Sequence, residues 1–237
     1  MRFGNSRAEP KPRDLRKRNL RTAVGTGAVF RYGSVMQQPD YRLAIEAYIR
    51  AEAKPPDKFS HQPRLHALAQ RLAENRPFDD DILHAGAWLH DLGVFIGHRP
   101  ADLAALAAWD NVAYAIEQTP RLLRQFGFPT AKIPAVVEVI RSHQPPGKPV
   151  SFEGILLRDA DILEQLGAVG ILRTVSKVGR DTRFVRFVDA LRVLRQNLDE
   201  LPAQLQLDSA CRLADPRILA LRGFLAAAAA EGAEADL

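Results

Sequence analysis

Apolar residues along the chain recur at helical rather than strand spacing. From Asp40 the pattern Leu43, Ile45, Tyr48 and Ile49 predicts a helix that ends near Lys54-Pro55-Pro56. A second helix begins around Ser60-His61, with Pro63 in its first turn, where a missing N–H does no harm. Its stripe is Leu65, Leu68, Ala69 and Leu72, and His61 extends that stripe one turn back, so its imidazole should point inward. His66 lies off the stripe and is expected to be solvated. A third helix reads as Asp79 to Leu92, with Asp79 as N-cap, Asp80 and Asp81 in the first turn, and Gly93 placed for the left-handed residue that ends it.

That third helix carries the dipeptide His90-Asp91 near its C-terminal end. A carboxylate there faces the negative end of the helix dipole, an arrangement that asks for a cation. Residues 101–126 read as two helices split near Thr119-Pro120. Ile133, Val136, Val137 and Ile140 form a stripe running into His143, and Ser151 opens a helix through Ile155, Ile162 and Leu166. Two further helices, at about residues 183–198 and 208–231, complete the chain. No strand pattern and no internal repeat is evident, so the expected fold class is all-α, a bundle of about eight to ten helices.

Residues 1–35 break this periodicity. They hold nine Lys and Arg against two acids, a net of +7, whereas the whole chain carries +5. The remainder, residues 36–237, is therefore mildly acidic at −2, and a basic nucleic-acid groove is not implied despite the basic chain total. The expected organisation is a disordered basic extension over 1–35 and one domain over 36–237, with Met36 a candidate alternative start. The single cysteine, Cys211, excludes an internal disulfide and a multi-cysteine zinc site and suits a reducing cytoplasm, the expected location. No apolar stretch is long enough to span a bilayer, so no membrane partner is expected.

Four polar groups interrupt apolar helix faces: His61, the His90-Asp91 pair, His143, and an acid of Asp159/Asp161. Burying several such groups requires a compensating cation. Mixed imidazole and carboxylate donors suit a divalent Mn, Fe, Co, Ni, Zn or Mg ion. Singly, each residue has an ordinary structural reading; the conjunction points to a metal site. His84 reads as structural or exposed, and His98 is a loop residue open to several roles.

The order His … His-Asp … Asp on successive helices resembles the HD-domain superfamily of metal-dependent phosphohydrolases, most closely its bacterial single-domain, nucleotide-hydrolase-like branch. The residues that carry the likeness are His61-Gln-Pro-Arg64-Leu65, Ala85-Gly-Ala-Trp-Leu-His90-Asp91-Leu-Gly93, Val139-Ile-Arg-Ser-His143, and Ile155-Leu-Leu-Arg-Asp159-Ala-Asp161 onward to Arg173. The resemblance spans roughly residues 40–231 and implies an HD-domain helical bundle with His61, His90, Asp91 and Asp161 as metal ligands. Periodicity favours Asp159 instead of Asp161, so the two arguments disagree; Asp161 is taken as ligand and Asp159 as a support behind it. Between Gly93 and His143 the chain offers only His98 and Asp110-Asn111, fewer polar positions than relatives carry, which puts a second metal in doubt.

The expected function is metal-dependent hydrolysis of a phosphoester or phosphoanhydride in a small phosphorylated molecule, with a nucleotide as the favoured substrate. Asp91 is the candidate proton acceptor, and His143 the candidate acid or phosphate contact or, in a two-metal variant, a ligand. Arg64 and Arg173 are candidate substrate-binding residues, with Lys177 a weaker one; for Arg64 an ion pair with Asp159 or Glu153 is the competing reading. The alternative to an enzyme is a non-catalytic, metal- or ligand-binding regulatory HD module. A nuclease on this scaffold is disfavoured by the acidic domain.

Overall fold

The computed structural model describes residues 40–144 and 147–232; the expected basic extension at 1–35 lies outside the described residues. Among the described residues there are ten α-helices and no strand. They are α1 Tyr41–Glu52, α2 His61–Leu72, α3 Asp80–Leu89, α4 Leu103–Ala107, α5 Asn111–Gln125, α6 Ile133–Ser142, α7 Phe152–Gln165, α8 Gly167–Val175, α9 Phe187–Glu200 and α10 Asp208–Glu231. None is long and apolar enough to cross a membrane.

Helix α3 is the central element because its sequence from Leu83 to Leu89 is buried on every side. Leu83 and Ala87 face one apolar cluster, with Leu65 and Leu72 of α2, Leu156 and Leu163 of α7, and Leu221 of α10. Ala85, Trp88 and Leu89 face a second, with Ile45 and Ile49 of α1, Leu123 of α5 and Ile140 of α6. A helix shared between two cores cannot shift without opening one of them, so the residues at its end are firmly placed. At its start, the Asp79 carboxylate accepts from the N–H groups of Asp81 and Ile82. The acids there are matched by Arg42 of α1, 2.6 Å from both Asp80 and Asp81, and by Lys132, 2.8 Å from Asp79 and Asp81.

Three local expectations are corrected. Gly93 does not end α3 in a left-handed conformation: the α-helix stops at Leu89, and Asp91 leads into a 3-10 turn at Leu92–Val94. Gly93 is needed for a close approach, since a Cβ there would lie 2.4 Å from the Asn111 carbonyl oxygen at the start of α5. The break in residues 101–126 falls at Ala108–Asp110 rather than at Pro120, which sits inside α5. Asp110 decides it, because its carboxylate accepts from Val112 and Ala113 and starts α5 there. His66 is not solvated; its Nε2 pairs with Asp80 at 3.0 Å, and its ring packs edge-on against His84.

A further helix, α8, follows α7 directly. Gly167, at φ +72°, turns the chain between them, where a side chain would strain the backbone and press on Arg217. That turn brings Arg173 of α8 back over the end of α7.

Candidate metal centre

Five helices contribute to the site. His61 is the first residue of α2 and is buried, 5% exposed. His90 and Asp91 follow the end of α3, His143 follows the end of α6, and Asp161 and Glu164 project from α7. Arg173 reaches in from α8. His61 Nε2 lies 3.5 Å from Asp161 Oδ1 and 3.8 Å from Asp91 Oδ2, and His90 Nε2 lies 3.6 Å from the same Asp91 oxygen. The His61 and His90 rings meet edge-on with centroids 5.3 Å apart, and His90 and His143 at 5.0 Å.

The hydrogen bonds fix which nitrogen of each ring is available. A main-chain carbonyl can only accept, so His90 Nδ1 carries the proton it gives to Ala87 O at 3.0 Å, and His143 Nδ1 the one it gives to Ile140 O at 2.6 Å. His61 Nδ1 likewise faces the Glu164 carboxylate at 3.4 Å. In all three rings Nε2 is left as the lone-pair nitrogen. His61 Nε2 is fully buried and makes no hydrogen bond. An orphaned acceptor beside a carboxylate is costly as it stands and is satisfied at once by a cation.

Ligand atoms of His61, His90 and Asp161 all lie within 4.8 Å of one another, close to the span of about 4 Å for atoms sharing one ion. Asp91 stands beside both imidazoles but is not in that mutual set. The donor chemistry, two imidazoles with carboxylates, fits a divalent ion.

Electrostatics agree with that donor set at His90, Asp91 and Asp161. Burial pushes His90 down to about 4, so it is neutral near pH 7. Burial pulls His61 down as well, but the Asp161 and Glu164 carboxylates facing its two ring nitrogens outweigh it and raise the ring. For Asp161 burial opposes ionisation, yet His61, His90 and Arg173 hold the carboxyl far below the usual range. Asp91 is lowered in the same way, against burial, by His90 and His61. The acids are thus ionised and His90 is neutral, as metal binding requires, while at His61 an ion would displace the proton that the two carboxylates favour.

Asp159 corrects an expectation. It does not stand behind the site: its Oδ2 accepts from the N–H groups of Gln206 and Leu207, at 2.9 and 2.8 Å, on the way into α10. Two residues along a helix turn a side chain by about 200°, so Asp159 and Asp161 cannot face the same ion. Arg64 pairs with neither Asp159 nor Glu153 but with Glu164, Nη2 to Oε2 at 2.9 Å. Arg173 Nη1 lies 3.6 Å from the same oxygen.

Glu164 is the residue sequence reasoning missed. It is 3% exposed and touches His61, Arg64 and Arg173. Its signal was available, since it lies three positions after Asp161 on one helix face. His98, by contrast, has both nitrogens engaged, by Leu92 O and by Glu52, and His84 pairs with Glu46. Asp110 caps α5. Lys177 sits over the Phe184 ring, and burial pushes it down to about 8, with Lys58, Arg173 and Arg183 adding to the effect.

Residues 59–166, which hold every candidate ligand, match the family model of the HD domain. The chain contains an HD domain. Its HD domain supplies His61, His90, Asp91, His143, Asp161 and Glu164, while Arg173 lies just beyond it. Solved structures share the fold. A Lactobacillus plantarum protein is 22% identical, with 82% of this chain and 98% of that chain covered and a TM-score of 0.64. Bacillus subtilis YpgQ, in complex with ADP, is 21% identical over 80% of this chain and 97% of its own, with a TM-score of 0.59. An HD-superfamily hydrolase from Bacillus thuringiensis is 20% identical over 82% and 96%, with a TM-score of 0.58. No curated protein matches the chain.

Proposed function

We propose that this HD-domain protein is a metal-dependent phosphohydrolase that cleaves a phosphoester or phosphoanhydride bond, with a nucleotide as substrate. The observation that carries the reading is the convergence of His61, His90 and Asp161 on one buried point, with the His61 Nε2 acceptor unmatched. The nucleotide part is supported by the fold shared with YpgQ, which was solved with ADP, and by two arginines beside the ligand set.

His61, His90 and Asp161 would hold the ion, with Asp91 as a fourth ligand. When bound, a divalent ion supplies Lewis-acid polarisation, acidifies water and neutralises phosphoryl charge. Asp91, ionised and adjacent to both imidazoles, accepts the proton of the attacking water. The water oxygen bonds to phosphorus as the bond to the leaving oxygen breaks. With Nδ1 held by Ile140 O, His143 would serve the leaving oxygen or a phosphoryl oxygen as an imidazolium, donating through a proton on Nε2. Arg64 and Arg173, each about one-third exposed or more, orient the phosphate chain from the outer side of Glu164.

The test is a panel of nucleoside mono-, di- and triphosphates offered to chelator-treated protein reloaded with Mn, Co or Ni. Release of phosphate or pyrophosphate from any member, lost on adding chelator, is the expected result. Silence across the panel from protein that binds the metal would favour a non-catalytic regulatory module instead.

A further inference from the structure

The three histidines of the site are oriented by two different means. His90 and His143 stand at the C-terminal ends of α3 and α6, where main-chain carbonyls lack helical partners. Each ring uses the carbonyl three residues back, Ala87 O or Ile140 O, to hold its Nδ1 proton. His61 stands at the N-terminal end of α2, where the helix leaves N–H groups rather than carbonyls free. The carbonyl three residues before it, Lys58 O, already accepts the His61 main-chain N–H. The acceptor that its Nδ1 faces comes instead from another helix, the Glu164 carboxylate of α7.

We infer that Glu164 is the positioning residue that makes His61 a metal ligand, by holding its Nδ1 proton and so reserving Nε2 for the ion. Its carboxylate is nearly sealed, with 4% of the side chain exposed, and lies 3.4 Å from His61 Nδ1. It cannot turn away, because Arg64 and Arg173 hold it from the outer side. Those arginines also keep the buried charge compensated; against the effect of burial, His61 and Arg64 hold Glu164 down at about 2. One carboxylate thus ties a ligand of the ion to the two side chains placed to meet phosphate. Carboxylates behind metal-binding imidazoles act in this way generally, fixing tautomer and raising basicity.

This inference rests on the metal-site reading, and the experiment separates the two. Chelator-treated wild-type protein, Glu164→Gln, Glu164→Asp and Arg64→Ala are each titrated with Mn alone. In parallel, nitrogen NMR of the metal-free proteins reports the tautomer of His61. Wild type should bind Mn with His61 protonated on Nδ1. Glu164→Gln should weaken binding about 10- to 100-fold and mix the two tautomers. Glu164→Asp keeps the charge for the arginines but withdraws the carboxylate from the ring by one methylene. It should stay folded and still lose affinity, so the inference remains testable if Glu164→Gln does not fold. Arg64→Ala, which removes one of the two clamps on the carboxylate but leaves Arg173, should weaken binding less than Glu164→Gln does; a larger loss would place the effect on the arginine and overturn the inference. Wild-type tautomer and affinity in both Glu164 variants would overturn the inference alone; a wild type that binds no Mn would overturn the metal site itself.

Discussion

His61 Nε2 and Asp161 Oδ1, donated by α2 and α7, face each other at 3.5 Å inside the bundle without a hydrogen bond between them. An ion between them should therefore be a folding ligand as well as a cofactor. At about a hundredfold excess over its dissociation constant, Mn should stabilise chelator-treated protein by about 2.7 kcal/mol, seen as a raised Tm. Asp161→Asn should lose most of that gain. An Asp161→Asn protein with an undiminished Mn response would remove Asp161 from the ligand set.

Asp91 has a separable role. Its carboxylate touches both imidazoles yet lies outside the tight three-residue group. Asp91→Asn keeps the shape and removes the base, so turnover should fall by about 10²- to 10⁴-fold with the circular dichroism spectrum unchanged. Full metal-dependent turnover in a folded Asp91→Asn protein would refute the assignment.

The buried His90 gives a pH signature. Its folded value of about 4 lies below its ordinary 6.5, so between these the unfolded chain binds the extra proton. Stability attributable to His90 is therefore full above about pH 6.5 and declines as pH falls toward 4. In chelator, the unfolding free energy of wild type minus that of His90→Gln should drop over this window by roughly 3 kcal/mol. Urea unfolding at several pH values measures it; a flat difference would show that His90 is not held neutral by burial.

Asp159 should be structural only. Asp159→Ala orphans the buried N–H of Leu207, at about 1–3 kcal/mol for a buried donor left unmatched, and releases the N–H of exposed Gln206 to solvent. Tm should fall accordingly, while Mn affinity, measured by titration below the lowered Tm, should stay at the wild-type value.

Much of the site was legible because its helices are one-sided in sequence. The stripe of Leu65, Leu68 and Leu72 pointed His61 inward, and the acid-capped run ending at His90-Asp91 marked α3. Helix α7 was not legible in this way. Leu156, Leu157, Arg158, Asp159 and Ala160 are all buried, so its periodicity could not choose between Asp159 and Asp161. Only the partners decide: main-chain donors take Asp159, and imidazole takes Asp161. Glu164 went unread because an acid late in a helix looks like a solvated one until Arg64 and Arg173 are seen to close over it. Pro120 read as a breaker, but Asp110 had already set the start of α5, and the helix continues through the proline.

Helix α7 works as an axle with a load on either side. On one, Asp161 faces the imidazoles; on the other, two residues away, Asp159 grips the lead into the 24-residue α10. Rolling α7 to reposition the first carboxylate would drag the second off its donors and loosen the C-terminal helix. The placement of one ion ligand and the anchoring of α10 therefore depend on the same helix.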